Sequence, residues 1–167
     1  GAKFVDTGVS AEGEGGYARE LTDEEKQQQQ EVLDKHIAMS DVVVTTAAIP
    51  GRPSPKIISA DVVSRMKVGA VIIDLASEGG GNCELTKPGE TVDYEGRVTI
   101  HGPLNVPSQV PIHATEMYAK NLFNLVSPFI KEGELQLDWE DEVIKNTALT
   151  HDGEIKSERY KPATGGA

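Results

Sequence analysis

Asp41-Val42-Val43-Val44-Thr45-Thr46 and Ala70-Val71-Ile72-Ile73-Asp74-Leu75 are the two stretches whose reading decides the fold. Each is a β-branched run with almost no polar interruption, the pattern of a central parallel strand buried on both faces. Between them lie the loop 47–55 and a helix over residues 60–66, opened by Ser59 as N-cap and closed before Gly69. Strand, helix and strand in that order make a parallel unit, so the chain reads as α/β, with a parallel sheet and flanking helices. Such a sheet gathers residues 46–50 and 74–81 at its carboxyl edge, where ligands of open α/β sheets bind.

Outward from this unit the signals stay local. Residues 3–6 read as a short strand, and residues 7–16, with four glycines, as a loop without packed structure. Thr22-Asp23-Glu24-Glu25 is a capping box opening a helix to about Ala38, whose glutamines 27–30 cover a solvated face. Downstream, residues 91–94 and 98–101 read as β-pieces turning at Glu95-Gly96. Pro103, Pro107 and Pro111 then exclude regular structure over 103–111. An amphipathic helix follows over 115–130, ended or kinked by Pro128. The remainder reads as small antiparallel pieces, one around Leu135-Gln136-Leu137 and one turning at Asp152-Gly153, before a tail at 161–167 that is expected to be disordered.

The chain's 167 residues are enough for one ordinary domain. A net charge of -11 repels phosphate backbones and anionic headgroups, which argues against nucleic acid as a partner. No apolar run reaches the length of a spanning helix and the start lacks a signal-peptide pattern, so the chain reads as cytosolic with no direct membrane insertion. One cysteine, Cys83, excludes an intrachain disulfide, and His36, His101, His113 and His151 lack metal-ligand spacing, so no metal site is expected. No nucleophile and base constellation stands out, and no catalytic residue is assigned. A dinucleotide domain normally begins with a strand, a G-x-G-x-x-G turn and a helix. Neither Gly13-Glu14-Gly15-Gly16 nor Gly79-Gly80-Gly81 has that spacing. A parallel sheet built on the two runs would therefore start in its middle, leaving a hydrophobic strand edge uncovered.

Four segments together carry a resemblance: Gly15-Gly16-Tyr17-Ala18-Arg19-Glu20, Thr45-Thr46-Ala47-Ala48-Ile49-Pro50-Gly51-Arg52-Pro53-Ser54-Pro55, Asp74-Leu75-Ala76 and Gly80-Gly81-Asn82-Cys83. On them the chain, from about Lys3 to Gly153, resembles the soluble NAD(H)-binding domain of the proton-translocating NAD(P) transhydrogenases, whose fold is shared with alanine dehydrogenase. The resemblance implies hydride transfer from NADH on this domain to NADP(H) on a partner subunit, coupled to proton movement through membrane subunits. It implies NAD(H) contacts at Gly16, Tyr17, Gln29 and Ala48, with the segment 15–21 closing over bound nucleotide. Tyr17 suits that task, since an aromatic at the tip of a glycine-rich loop covers an adenosine or ribose. Gln29 offers both amide donor and acceptor.

The same resemblance divides the chain into residues 1–111, the latter half of a Rossmann-type nucleotide domain and so a partial Rossmann-type parallel sheet, residues 112–160, a connecting helix and short strands returning to a second α/β domain, and the tail 161–167. It places the phosphate turn upstream of Gly1, so this polypeptide is expected to be a fragment, inactive alone. The complete domain is expected to form a homodimer, cytoplasmic and held at the inner membrane through partner subunits. The alternatives are an alanine dehydrogenase-like oxidoreductase and a non-catalytic binding module. Asp74 is read as a hydrogen-bond acceptor for its own loop rather than as a ribose-binding acid, Gly81-Asn82 as a turn, and Cys83 as a small packed apolar residue.

Overall fold

The structure, a computed structural model, describes residues 1–9, 21–49 and 51–157. Among these the chain forms four α-helices and eight strands, distributed over two compact units, Gly1–Gln109 and Val110–Ala167.

The first unit is a four-stranded sheet with helices. Helix α1, Asp23–Ala38, starts with both halves of the expected capping box: Thr22 Oγ1 accepts from the Glu25 amide and a Glu25 carboxylate oxygen from the Thr22 amide. Strand β1, Val42–Thr45, leads through a long loop to helix α2, Ala60–Arg65, where the Ser59 hydroxyl accepts from the Val62 amide as N-cap. Strands β2, Ala70–Asp74, β3, Thr91–Tyr94, and β4, Val98–His101, complete the sheet in the order β1-β2-β4-β3. β1, β2 and β4 run parallel, while β3 pairs antiparallel with β4 through a tight turn in which Glu95 takes a φ of 55°.

Register follows from burial. Ile72 lies between Val43 of β1 and Ile100 of β4, and Ala70 lies beside Val98. These residues close a core with Val62, Val63 and Met66 from the α2 segment and Ile58 from the loop before it. On β2 the buried positions are Ala70, Ile72 and Asp74, so a one-residue slip would move a carboxylate-bearing face out and Val71 and Ile73 in.

The second unit opens with helix α3, Pro111–Val126, followed by one turn of 3-10 helix, Ser127–Phe129. A minimal hairpin of β5, Ile130–Lys131, and β6, Glu134–Leu135, comes next. Helix α4, Glu142–Thr147, is capped by Asp141, whose carboxylate accepts from the Val143 and Ile144 amides. A second hairpin, β7, Thr150–His151, and β8, Glu154–Ile155, ends the described chain.

Several expectations are corrected. Residues 3–6 form no strand, and Phe4 is 93% exposed: β-propensity without a neighbouring strand leaves the backbone unpaired. β1 is not buried on both faces among the described residues: Val42 and Val44 are more than half exposed at the sheet's edge, the uncovered hydrophobic edge expected of a sheet that starts in its middle. A β-branched run records preference for the pleat, and does not distinguish a central strand from an edge. The glutamine run is only partly solvated, because Gln30 donates to the Ile57 carbonyl at 2.9 Å. The proline segment 103–111 carries a 3-10 turn, Val106–Gln109, and Pro111 opens α3 four residues before the expected start, where its missing N–H costs nothing. That helix also stops at Val126, ahead of Pro128. α4 is an addition to the expected elements, although Asp141 is a ready N-cap. The tail 161–167 lies outside the described residues.

The sheet register gives a direct stability contrast. Ile72→Ala is expected to cost about 2–5 kcal/mol by leaving a cavity between β1, β4 and α2. Val44→Thr, on the open face, should stay within about 0.5 kcal/mol. Urea unfolding of the two variants beside the parent chain measures both.

Candidate functional site

The carboxyl ends of the parallel strands meet around one buried carboxylate. Asp74, the last residue of β2, is fully buried and accepts five hydrogen bonds. Its Oδ1 takes the Thr45 hydroxyl at 3.0 Å, from the end of β1, and the Ala76 amide at 3.2 Å. Its Oδ2 takes the Asn82 amide at 2.7 Å, the Cys83 amide at 3.0 Å and the Thr86 hydroxyl at 2.6 Å. Burial alone pushes this carboxyl's pKa up, but donation from Cys83, Thr86, Thr45 and Asn82 outweighs it and holds the pKa below the ordinary carboxylate value.

The loop wrapped around this carboxylate, residues 75–86, has little slack. Gly81 sits at φ +82°, and a Cβ there would come within 2.6 Å of Asp74 Oδ2 and 2.7 Å of Thr86 Cγ2. Gly79 lies against Ser54, whose amide is 3.3 Å from where a Cβ would stand. Only glycine fits at either position.

A second set of bonds laces this loop to the one that follows β1. The Ser54 amide donates to the Gly79 carbonyl at 2.7 Å, and the buried Ser54 hydroxyl donates to the Ala76 carbonyl at 3.0 Å. Lys56 Nζ reaches the Gly80 and Cys83 carbonyls at 2.6 and 3.3 Å. Asn82, fully buried, uses its amide completely: Oδ1 accepts from the Ala47 amide at 3.0 Å, and Nδ2 donates to the carbonyls of Ala47 and Pro55, each at 2.8 Å. The segment after β4 joins through the Ser77 hydroxyl, which donates to the Pro103 carbonyl, and through Glu78, which accepts from the Asn105 amide at 2.6 Å.

Between the two laced loops lies an open cleft of about 670 Å³. Ala48, Ile49 and Arg52 line it from the first loop, and Leu75, Ala76 and Glu78 from the second. Its walls are mostly apolar, with one cation and one carboxylate among the lining side chains. The setting, at the carboxyl edge of parallel strands, is the position at which open α/β sheets hold small molecules.

Of the four residues expected to contact nucleotide, Ala48 is exposed and lines this cleft. Gln29 is half-buried on α1 and is not among the described residues that line it. Gly16 and Tyr17 lie outside the described residues. Asp74 serves its own loop, as read from the sequence, and Cys83 is buried, with burial pushing its thiol pKa up. Asn82 does more than shape a turn. Sequence reasoning misses this because its partners are backbone groups 27 and 35 residues away, which no side-chain pattern reveals.

The family model for the C-terminal domain of alanine dehydrogenase/PNT matches residues 1–158. An NAD(P) transhydrogenase subunit alpha polypeptide of Rhodospirillum rubrum is 42% identical over 161 residues, covering 93% of this chain and 42% of that protein. Alanine dehydrogenase 1 of Staphylococcus aureus is 30% identical over 131 residues, covering 77% of this chain and 35% of that protein. The crystal structure of transhydrogenase from Sinorhizobium meliloti superposes with a TM-score of 0.69 at 40% identity, covering 81% of this chain and 38% of that one. The chain thus spans about two fifths of the transhydrogenase sequence and structure it matches.

The lowered pKa of Asp74 fixes the sign of a pH dependence. A carboxyl more acidic when folded than when unfolded contributes stability above its unfolded value, and that contribution is lost as pH falls through the folded value. Asp74→Asn is therefore expected to destabilise the first unit by about 3 kcal/mol at pH 7, since its amide cannot accept from all five donors. The gap between variant and parent should narrow as pH is lowered from about 5 toward about 2. Chemical denaturation at a series of pH values tests both statements.

Proposed function

The chain belongs to the alanine dehydrogenase/PNT family, and on that premise we propose that it is part of the NAD(H)-binding component of a proton-translocating NAD(P) transhydrogenase. The observation carrying this reading is the cleft at the carboxyl ends of β1 and β2, bordered by Ala48. Its apolar walls fit the flat ring of a nucleotide, and Arg52 and Glu78 among the lining residues offer polar partners for the rest. When bound, NADH supplies the hydride that NADP on a partner subunit accepts.

What this chain's own residues do is position and shield. Ala48 and Ile49 on one wall, with Leu75 and Ala76 on the other, hold a planar group and keep water from its face. Gly16, Tyr17 and Gln29 supply further nucleotide contacts in this reading. Direct hydride transfer needs no base and no covalent intermediate, which suits a site whose buried carboxylate is fully engaged and whose buried thiol is held protonated. The alanine dehydrogenase reading is the weaker one, given 30% identity to that relative against 42% to the transhydrogenase subunit.

The reading further holds that partner subunits carry the NADP site and the membrane part, that the complete domain is a homodimer, and that the chain sits at the cytoplasmic face of the inner membrane through those subunits. Alone it catalyses no hydride transfer, because no glycine-rich phosphate turn stands in its sequence.

Joined to the remaining NAD(H)-domain sequence of a transhydrogenase alpha subunit and assembled with its partner subunits, the chain should support NADH oxidation linked to NADP reduction. Ala48→Phe, at an exposed position, should lower kcat/KM for NADH at least tenfold by filling the cleft, a change of about 1.4 kcal/mol. Turnover with pyruvate and ammonium in place of NADP would overturn the proposal in favour of an alanine dehydrogenase. Tight NADH binding by the 167-residue chain alone would overturn its inactivity in isolation.

A further inference from the structure

The loop 47–55 carries Ala48, yet among its described residues it contains no helix or strand of its own. Ser54 ties it to the neighbouring loop near its far end, and one side chain of that neighbouring loop reaches both of its ends. Asn82 bonds Ala47 through both of that residue's backbone groups, and Pro55 through its carbonyl, so a single amide grips the first and last residues of the loop.

The chemistry of that grip is selective. It calls for one acceptor and two donors in a plane, the inventory of a carboxamide. Aspartate would keep the acceptor but set a second carboxylate oxygen against two carbonyls, and serine is too short to span them. Glutamine would add a methylene at a fully buried position. The amide is itself anchored from below, because the Asn82 backbone donates to Asp74, and the Asn82 carbonyl accepts from the Ile57 and Ile58 amides at 2.7 and 3.0 Å. A line of bonds therefore runs from the end of β2 through Asn82 to Ala47, the residue next to the cleft wall.

We propose that Asn82 is a positioning residue for the nucleotide cleft, its side-chain amide closing both ends of the loop 47–55 and so fixing the wall that carries Ala48. The inference rests on the reading of the cleft as the NAD(H) site. Asn82 itself touches no nucleotide. Loosening its grip lets the loop populate arrangements that do not bind, and apparent affinity falls in proportion to the competent fraction. The signature is a change in KM for NADH without a matching change in kcat.

The test uses the assembled transhydrogenase complex carrying Asn82→Asp and, as a smaller change that leaves no buried charge, Asn82→Ser. Steady-state kinetics is paired with amide hydrogen exchange over residues 46–55. Expected in either folded variant are faster exchange across the loop, a KM for NADH raised about tenfold, kcat altered less than about twofold and an unchanged KM for NADP. Faster exchange with an unchanged KM would make Asn82 a purely structural residue and overturn the inference, as would unchanged exchange. Should the parent complex show no NADH-linked turnover, the reading of the cleft fails first and takes this inference with it. Parent turnover with variants of normal KM sinks the inference alone.

Discussion

A carboxylate taken out of water at the end of a central strand must find donors, and the loop that follows β2 is arranged to supply most of them. Asp74 lies where β2 gives out and ladder hydrogen bonds end, with the chain turning through three amides and two hydroxyls to reach it. An unpaired ion at this depth would cost several kcal/mol, so the donors are obligatory. Meeting that demand forces the chain from Ala76 to Thr86 to curl back on itself, which brings Gly81 against the carboxylate and leaves no room for a side chain there. The same curl presents Asn82, Gly79 and Gly80 to the loop after β1.

From that arrangement the cleft follows as a by-product of satisfied polar groups. Its two walls belong to different crossovers, and parallel strands alone would leave them free to drift. Ser54, Lys56 and Asn82 join them with bonds to backbone carbonyls, so the spacing of the walls depends on main-chain geometry rather than on the packing of long side chains. Ala48, Ile49, Leu75 and Ala76 then line the space between the walls, together with Arg52 and Glu78.

The features legible in the sequence are those decided locally. The capping box at Thr22, the Ser59 cap, the turn at Glu95-Gly96 and the two β-branched runs each carry their signal within a few residues, and each stands in the structure at or near its expected limits. The meeting of residues 46–50 with 74–81 is also readable, because parallel topology dictates which strand ends lie together. Less readable is anything settled by a distant neighbour. The run 41–46 reads as buried on both faces, but such burial depends on a neighbouring strand on each side, and among the described residues β2 alone pairs with it. Helix α3 is shifted toward its start because a proline that forbids helix interiors is welcome in a first turn. Asn82 looks like a turn former beside its glycine neighbour, while its three side-chain bonds reach back across the whole α2 crossover.

The closure of the loop 47–55 by Asn82 has an entropic side that sets it apart from a covalent staple. A disulfide gains much of its effect by restricting the unfolded chain. An amide gripping two carbonyls and an N–H restricts nothing until the fold has formed, so it adds no burden of correct pairing during folding and no sensitivity to thiol chemistry. With one cysteine, and that one buried, the chain has no intrachain disulfide with which to pin this loop. The loop is held instead by bonds that can break and re-form within the native state, one at a time, without unfolding the sheet beneath them.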